Sequence, residues 1–365
     1  MAGDASQITL GVDTHSDNHV AAALDQNGRL LDTLSFSTRS TGHRELLSWA
    51  NRLGTVVQAG LEGTGGYGAG LSRYLRAAGI AVIEVDRPNR QARRTGGKTD
   101  AIDAEIAARA VLSGALSTRP KAADGNVESL RVLRVARRGA MRARTQAANQ
   151  LHALVVTAPD ELRGEIRDLT TVRLVKTACA WRVTKALNPT AASKVALRSV
   201  ARRYRDLTSE ISALDVETQR LVSDFAPNLL ALPNVGPETA AALLVAAGDN
   251  PQRLKSESAF AHMCGVAPLE ASSGKSHRHR LNRGGNREGN CALYTIALGR
   301  MWRDPRTRAY VARRTAEGRS KREIIRCLKR FIAREVYHAL LVSPLVSSDS
   351  TVKQVATGSD VNLAA

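Results

Sequence analysis

Residues Thr55–Gly68 read TVVQAGLEGTGGYG, and the fold turns on whether the glycines or the acid ahead of them carry the meaning. Gly63, Gly65 and Gly68 satisfy G-x-G-x-x-G, with an apolar run before them and a helical pattern, YGAGLSRYLRAAG, after. Glu84 stands about twenty residues further on, where a dinucleotide-binding fold carries its ribose-binding acid. Two features oppose that reading. Glu62 would face the pyrophosphate that the glycines are meant to receive, and this strand is not the first of the chain. Residues 7 to 37 already read as three short strands, ITLGVDT, HVAAALDQ and RLLDTLSFS, with Asn27-Gly28 as a tight turn between the last two. GHRELLSWANRLG follows as an amphipathic helix closed by Gly54. After the strand ending at Glu62 come a helix, the strand IAVIEVD, the polar stretch RPNRQARRTGGKT and a helix from about Asp100 to Ser113. An order βββαβαβα that begins antiparallel and ends parallel fits a ribonuclease-H-like sheet, whereas a dinucleotide-binding domain begins with its glycine-rich turn. The glycines then serve to turn the chain sharply beside the acid.

In such a sheet the acids gather. Asp13 closes the first strand and Glu62 closes the strand that lies beside it, while Asp100 and Asp103 share one face of the helix packed across their ends. A single acid at a strand end or helix start is ordinary, and Asp100 alone would serve as an N-cap. Four together repel one another unless a divalent cation holds them, and all-oxygen ligands select Mg²⁺ or Mn²⁺. Asp13, Glu62, Asp100 and Asp103 are therefore the expected metal ligands. Two such ions clamp the oxygens of a phosphodiester undergoing in-line displacement.

Charge points to the same kind of substrate. The 365 residues carry a net charge of +19, with 18 Lys and Arg against 4 Asp and Glu between Ala271 and Arg334. That balance favours a polyanion, nucleic acid before an anionic membrane, since no amphipathic membrane segment stands out. No apolar run approaches a membrane span and the N-terminus lacks a signal pattern, so a cytoplasmic place is expected. Cys179, Cys264, Cys291 and Cys327 form no C-x-x-C pair and read as buried reduced thiols.

Four stretches are expected along the chain: an α/β domain at 1–118, a helical region at 119–226, a mainly α domain at 227–342 and a disordered tail at 343–365. In the second, Leu197, Val200, Tyr204, Leu207, Ile211, Leu214 and Leu221 recur at 3-4 spacing, broken only at Thr218, which suggests a coiled coil and self-association. The basic segment RVLRVARRGAMRAR, with Arg138 and Arg142, is either the partner arm of an antiparallel hairpin or a helix lying along nucleic acid. LLALPNVGPETAAALLVAAGD resembles a helix-hairpin-helix, whose turn offers N–H groups to phosphate. YVARRTAEGRSKREIIRCLKRFIAREVYHAL reads as one C-terminal helix with Ile324, Ile325, Leu328, Phe331 and Ile332 toward the core and Arg326, Lys329, Arg330 and Arg334 toward a phosphate backbone.

GVDTH, LEGTGGYG and KTDAIDA resemble the D, E and D-x-x-D motifs of the DEDD-type insertion-sequence transposases, the family numbered one hundred and ten. GVAPLEASSGKSHRHRLNRGGNREGNCALY is similar to that family's second domain, and the likeness runs from about Ile8 to Leu340. It implies a RuvC-like first domain, strand cleavage and rejoining, a bridge RNA that pairs with donor and target DNA, and a dimer or tetramer acting at the bacterial nucleoid. The G-K-S of ASSGKSHRH is no P-loop, because Leu269 stands where the pattern needs glycine. A Ser-Ser-Gly loop is by itself most often only a loop. The resemblance puts the nucleophile at the serine directly before the glycine, Ser273, with Ser272 adjacent and Ser276 more remote. A serine alkoxide attacking a phosphodiester would hold one DNA end covalently among Lys275, Arg278, Arg280, Arg283 and Arg287. A junction-resolving nuclease, with water as nucleophile, and a non-catalytic nucleic-acid-binding scaffold are the competing readings.

Overall fold

The computed structural model describes residues 6–85, 99–114, 116, 118–182, 185, 188–273 and 279–342. The polar stretch at 86–98, the basic run Lys275–Arg278 with Ser276, and the tail after Val342 lie outside them. The chain forms two compact units, residues 1–125 with 247–253, and residues 126–246 with 254–365.

The first unit is built on a five-stranded sheet. Strands β1 (Gln7–Asp13), β2 (Asn18–Asp25), β3 (Leu30–Ser37), β4 (Thr55–Glu62) and β5 (Ala81–Val85) lie in the order β3-β2-β1-β4-β5. β1 pairs antiparallel with β2 and parallel with β4, so β1 is the pivot between the two halves. This is the ribonuclease-H-like arrangement. Ile8, Leu10 and Val12 alternate toward one face, where they meet Leu46 and Trp49 of helix α1 (Ser40–Leu53) and Leu71 and Leu75 of α2 (Ala69–Ala77). Each fully buried aliphatic side chain there contributes roughly 1.5–3 kcal/mol.

The opposite face is covered by α3 (Asp100–Leu112), and its approach is unusually close. A Cβ on Gly11 would stand 2.1 Å from the Ala104 carbonyl oxygen and 2.3 Å from the Ala108 nitrogen. One on Gly60 would stand 2.7 Å from Val111 Cγ2 and 2.8 Å from the Ala107 oxygen. Gly11 and Gly60 are directly paired across β1 and β4. The helix meets them with Ala104, Ala107, Ala108 and Val111, all buried. Small residues on both sides let backbone ride on backbone. Residues 247–253 return to this unit, where the Asn250 side chain accepts from the Ala122 N–H at 3.1 Å and donates to the Pro120 carbonyl at 3.1 Å.

The second unit is helical. Its long members, α4 (Asn126–Val156) and α7 (Pro189–Phe225), run antiparallel, since Arg137 pairs with Asp215 while Arg203 reaches Gln150. Helices α5 (Asp160–Ile166) and α6 (Thr171–Ala180) close the connection over a core of Leu151, Val155, Leu162, Leu174 and Leu197. The 3-4 spacing of α7 is thus used within the chain, and Thr218, read as the break, is 1 % exposed. Arg134 is buried between Glu238 and Glu288, and Arg138 is held by Glu288. Of the two arginines expected on nucleic acid from this helix, Arg138 is committed within the fold and Arg142 is exposed.

Two further expectations, on the C-terminal helix and on the cysteines, need correction. The turn resembling a helix-hairpin-helix does join two helices, the single turn α8 (Pro227–Leu230) and α9 (Pro237–Ala247). Its Val235 N–H goes to the Leu232 carbonyl and its Gly236 N–H to Thr239 Oγ1. The C-terminal helix is two: after α10 (Glu257–Met263) and α11 (Arg287–Arg303) come α12 (Pro305–Ala316) and α13 (Lys321–Leu341). Gly318 takes φ 77° between the last two, and Ser320 with Glu323 forms a capping box that starts α13 afresh. Ile324, Ile325, Leu328 and Ile332 are buried, but Phe331 is half exposed against Tyr310. Arg330 and Arg334 grip Glu257, and Lys329 donates to Asn290, so these cations brace the unit. Of the cysteines only Cys264 is fully buried, and Cys291 is exposed.

Candidate active site

The acids are placed by backbone geometry first. Gly11 and Asp13 alternate onto the α3 side of β1, and Gly60 and Glu62 onto the same side of β4. Because Gly11 pairs with Gly60 and Val12 with Leu61, Asp13 and Glu62 end neighbouring strands side by side. Thr14 Oγ1 donates to the Glu62 carbonyl at 2.8 Å and ties the two strand ends together. The first turn of α3, carrying Asp100 and Asp103, lies across them because the two glycines draw the helix down. Thr99, not Asp100, caps that helix, accepting from the Ile102 N–H. Asp100 is therefore released from the capping duty that its position suggested.

Among the described residues, the group whose ligand atoms all lie within 4.8 Å of one another is Asp13, His15 and Asp100. His15 Nε2 is 3.1 Å from Asp13 Oδ2 and 3.5 Å from Asp100 Oδ2. Asp13 is 8 % exposed and Asp103 6 %, whereas Asp100 stands at the surface. Burial pushes the Asp13 carboxyl above its ordinary range, His15 opposes the rise, and the Asp103 and Asp100 charges add to it. Glu62, half-buried, adjoins through its strand. His15 was the residue overlooked in the sequence. Its signal was present in GVDTH, since a residue two beyond Asp13 returns to the same side of an extended chain.

The glycine stretch has the structural role expected of it. Gly63 takes φ 69°, and its carbonyl accepts from both the Gly66 and the Gly68 N–H, which closes the turn on itself. Glu84 accepts from Thr64 Oγ1 at 2.7 Å and is held by the loop rather than offered to a ribose.

Behind the acids, His19 is fully buried and its Nδ1 accepts from the His15 N–H at 3.2 Å. Burial, followed by the neighbouring His43 and His15, lowers its pKa to about 4. The unfolded chain takes up this proton near pH 6.5, so stability is full above that value and falls as pH drops toward about 4. Urea unfolding of the metal-free protein should show His19 costing about 2 kcal/mol at pH 5 relative to pH 7. Asp13, with its raised pKa, acts in the opposite sense. His19→Gln should remove the histidine contribution, and an unchanged pH slope in that variant would contradict the assignment.

Ser272 and Ser273 belong to the second unit. Both are exposed, on the connection between β6 (Leu269–Glu270) and β7 (His279–Arg280), which pair antiparallel. Arg280, Arg283 and Arg287 nearby are exposed as well. The segments that flank this strand pair pack closely. A Cβ on Gly285 would meet the Gly265 nitrogen at 2.3 Å, Asn290 donates to the Cys264 and Gly265 carbonyls, and Asn286 caps α11. The run NRGGNREGN thus ties the segment after β7 to the one before β6.

The first unit is thus a ribonuclease-H-like sheet with acids at its central strand ends, and the second is helical, with Ser272 and Ser273 exposed. Residues 10–158 match a family described as Transposase, and residues 226–312 match the Transposase IS116/IS110/IS902 family. The chain belongs to the IS110 family of transposases. A relative from Streptomyces coelicolor (strain ATCC BAA-471 / A3(2) / M145), the Insertion element IS110 uncharacterized 43.6 kDa protein, is 36% identical over 135 residues. That alignment covers 37% of this chain and 32% of the relative. Among the described residues no helix is long and apolar enough to cross a membrane.

Proposed function

We propose that the protein is a DNA transposase that cuts and rejoins strands through a serine–DNA phosphodiester, with a divalent cation at Asp13, Glu62, Asp100 and Asp103. The observation carrying this reading is the gathering of Asp13, Asp103 and Asp100 at the end of the central strand β1, two of them buried, in a chain of net charge +19. Carboxylates so close are costly when ionised, and a hard dication, Mg²⁺ or Mn²⁺, fits the donor set. When bound, the cation would polarise the scissile phosphate and neutralise its charge.

The chain's own groups do the rest. Ser273 Oγ attacks the phosphorus and its proton leaves, the bond to the departing deoxyribose oxygen breaks, and that oxygen takes up a proton. A second strand's hydroxyl then attacks the phosphoserine diester and returns the serine, so the bond is conserved without ATP. Lys275, Arg278, Arg280, Arg283, Arg287 and Arg142 offer positive charge to the phosphates. The family resemblance supplies the partners: donor and target DNA, a structured guide RNA read by shape, and a second copy of the chain, all in the cytoplasm.

Asp13→Asn tests the metal role. Strand exchange should fall by on the order of 10³-fold or more, because charge stabilisation at the reacting phosphate is lost. RNA binding, measured by filter retention, should stay within about twofold, since the cations proposed to meet the RNA lie elsewhere. Collapse of binding together with activity would make the acids structural.

A further inference from the structure

The imidazole between Asp13 and Asp100 does not belong to an all-oxygen site. Both Mg²⁺ and Mn²⁺ take carboxylates, but Mg²⁺ gains little from a ring nitrogen, whereas Mn²⁺, a transition-metal ion, tolerates one imidazole among its oxygens. His15 Nε2 lies 3.1 Å from Asp13 Oδ2 and 3.5 Å from Asp100 Oδ2, and the three atoms lie within 4.8 Å of one another. Donor atoms 3.1 and 3.5 Å apart subtend ordinary ligand angles at an ion with bonds of about 2.0–2.3 Å. We infer that His15 is itself a ligand at the carboxylate site, and that its nitrogen tilts the site toward Mn²⁺ over Mg²⁺. This inference rests on the metal site proposed above and adds its selectivity.

The backbone around His15 is prepared for the task. Its N–H is held by Nδ1 of His19, a ring that is itself fully buried, so the turn after β1 is supported from within the core. Thr14, between the two ligands, spends its hydroxyl on the Glu62 carbonyl. Asp13 and His15 therefore project to the same side from a segment fixed at both of its intervening contacts. The His15 ring is 48% exposed, which leaves room for a cation and its remaining water ligands to enter without unfolding the turn.

Electron spin-echo spectroscopy of Mn²⁺ on the untagged full-length protein reads the nitrogen directly. Wild type should show ¹⁴N modulation from a coordinated imidazole, and His15→Ala should bind Mn²⁺ without it. By calorimetry, His15→Ala should lose about tenfold in Mn²⁺ affinity while Mg²⁺ affinity changes less than about twofold. His15→Gln, which offers an oxygen instead, should keep Mg²⁺ binding and reduce the Mn²⁺ preference. Bound Mn²⁺ without nitrogen modulation in wild type, or equal losses for both ions in His15→Ala, would overturn the inference and leave the carboxylate site standing. Failure of wild type to bind either ion, or undiminished binding in Asp13→Asn, would overturn the site as well.

Discussion

Gly11→Ala should unfold the sheet unit or leave it barely stable. The added methyl would fall 2.1 Å from a backbone oxygen of α3 and 2.3 Å from a backbone nitrogen, with Ala108 Cβ at 2.8 Å. No side chain there is able to swing away, so α3 must lift from the sheet. Overpacking of a core ordinarily costs about 1–3 kcal/mol, and a clash with backbone exceeds that range. Against a total stability of about 5–15 kcal/mol the loss is severe. The second consequence concerns function. Lifting α3 carries Asp100 and Asp103 away from Asp13, so any variant that still folds should bind divalent cations far more weakly. Circular dichroism melting together with Mn²⁺ titration checks both, and a variant that melts and binds like wild type would refute the packing described. Gly79→Ala tests a different glycine effect. Nothing lies within 4 Å of its Cβ position, but Gly79 has φ 80°, so its cost is backbone strain of about 1 kcal/mol alone.

Much of the first unit was legible in the chain because its signals are local. β1 to β3 announce themselves by apolar alternation and the Asn27-Gly28 turn, and Asp13 and Glu62 stand at the ends of apolar runs. The close seat of α3 was not legible. Gly11 and Gly60 are inconspicuous inside strands, and their meaning appears only when β4 is brought beside β1 and a helix with an alanine face is laid over both. His15 was hidden for a related reason, since its partner Asp100 is remote in sequence. In the second unit the heptad spacing of α7 was visible, but spacing does not name the partner. The chain's own α4 and α6 take part of that surface. Basic residues were the least legible of all. Arg138, Arg330 and Arg334 read as free positive charge, yet each has found an acid from a distant segment. Their pairing moves the expectation for nucleic-acid contact toward Arg142, Arg280, Arg283 and Arg287.

Ser273→Ala is expected to have the largest effect on chemistry. An alanine leaves the backbone unstrained, because residue 273 is exposed and is not among the residues with a positive φ. Folding and nucleic-acid binding should therefore survive. Loss of an attacking nucleophile removes the covalent route altogether, and strand exchange should drop by on the order of 10³-fold or more. Ser272→Ala should leave a measurable rate, since its hydroxyl is one residue from the proposed attack.

The measurement that bears most directly on the proposed chemistry is covalent trapping. The full-length protein is incubated with guide RNA, Mg²⁺ or Mn²⁺ and a nicked suicide DNA, and denatured products are separated with and without protease. A denaturant-resistant, protease-sensitive protein–DNA species should form with wild type and Ser272→Ala, and should vanish in Ser273→Ala. DNA cleavage that persists in Ser273→Ala with no such species in any sample would contradict the serine mechanism and make the protein a metal-dependent nuclease using water.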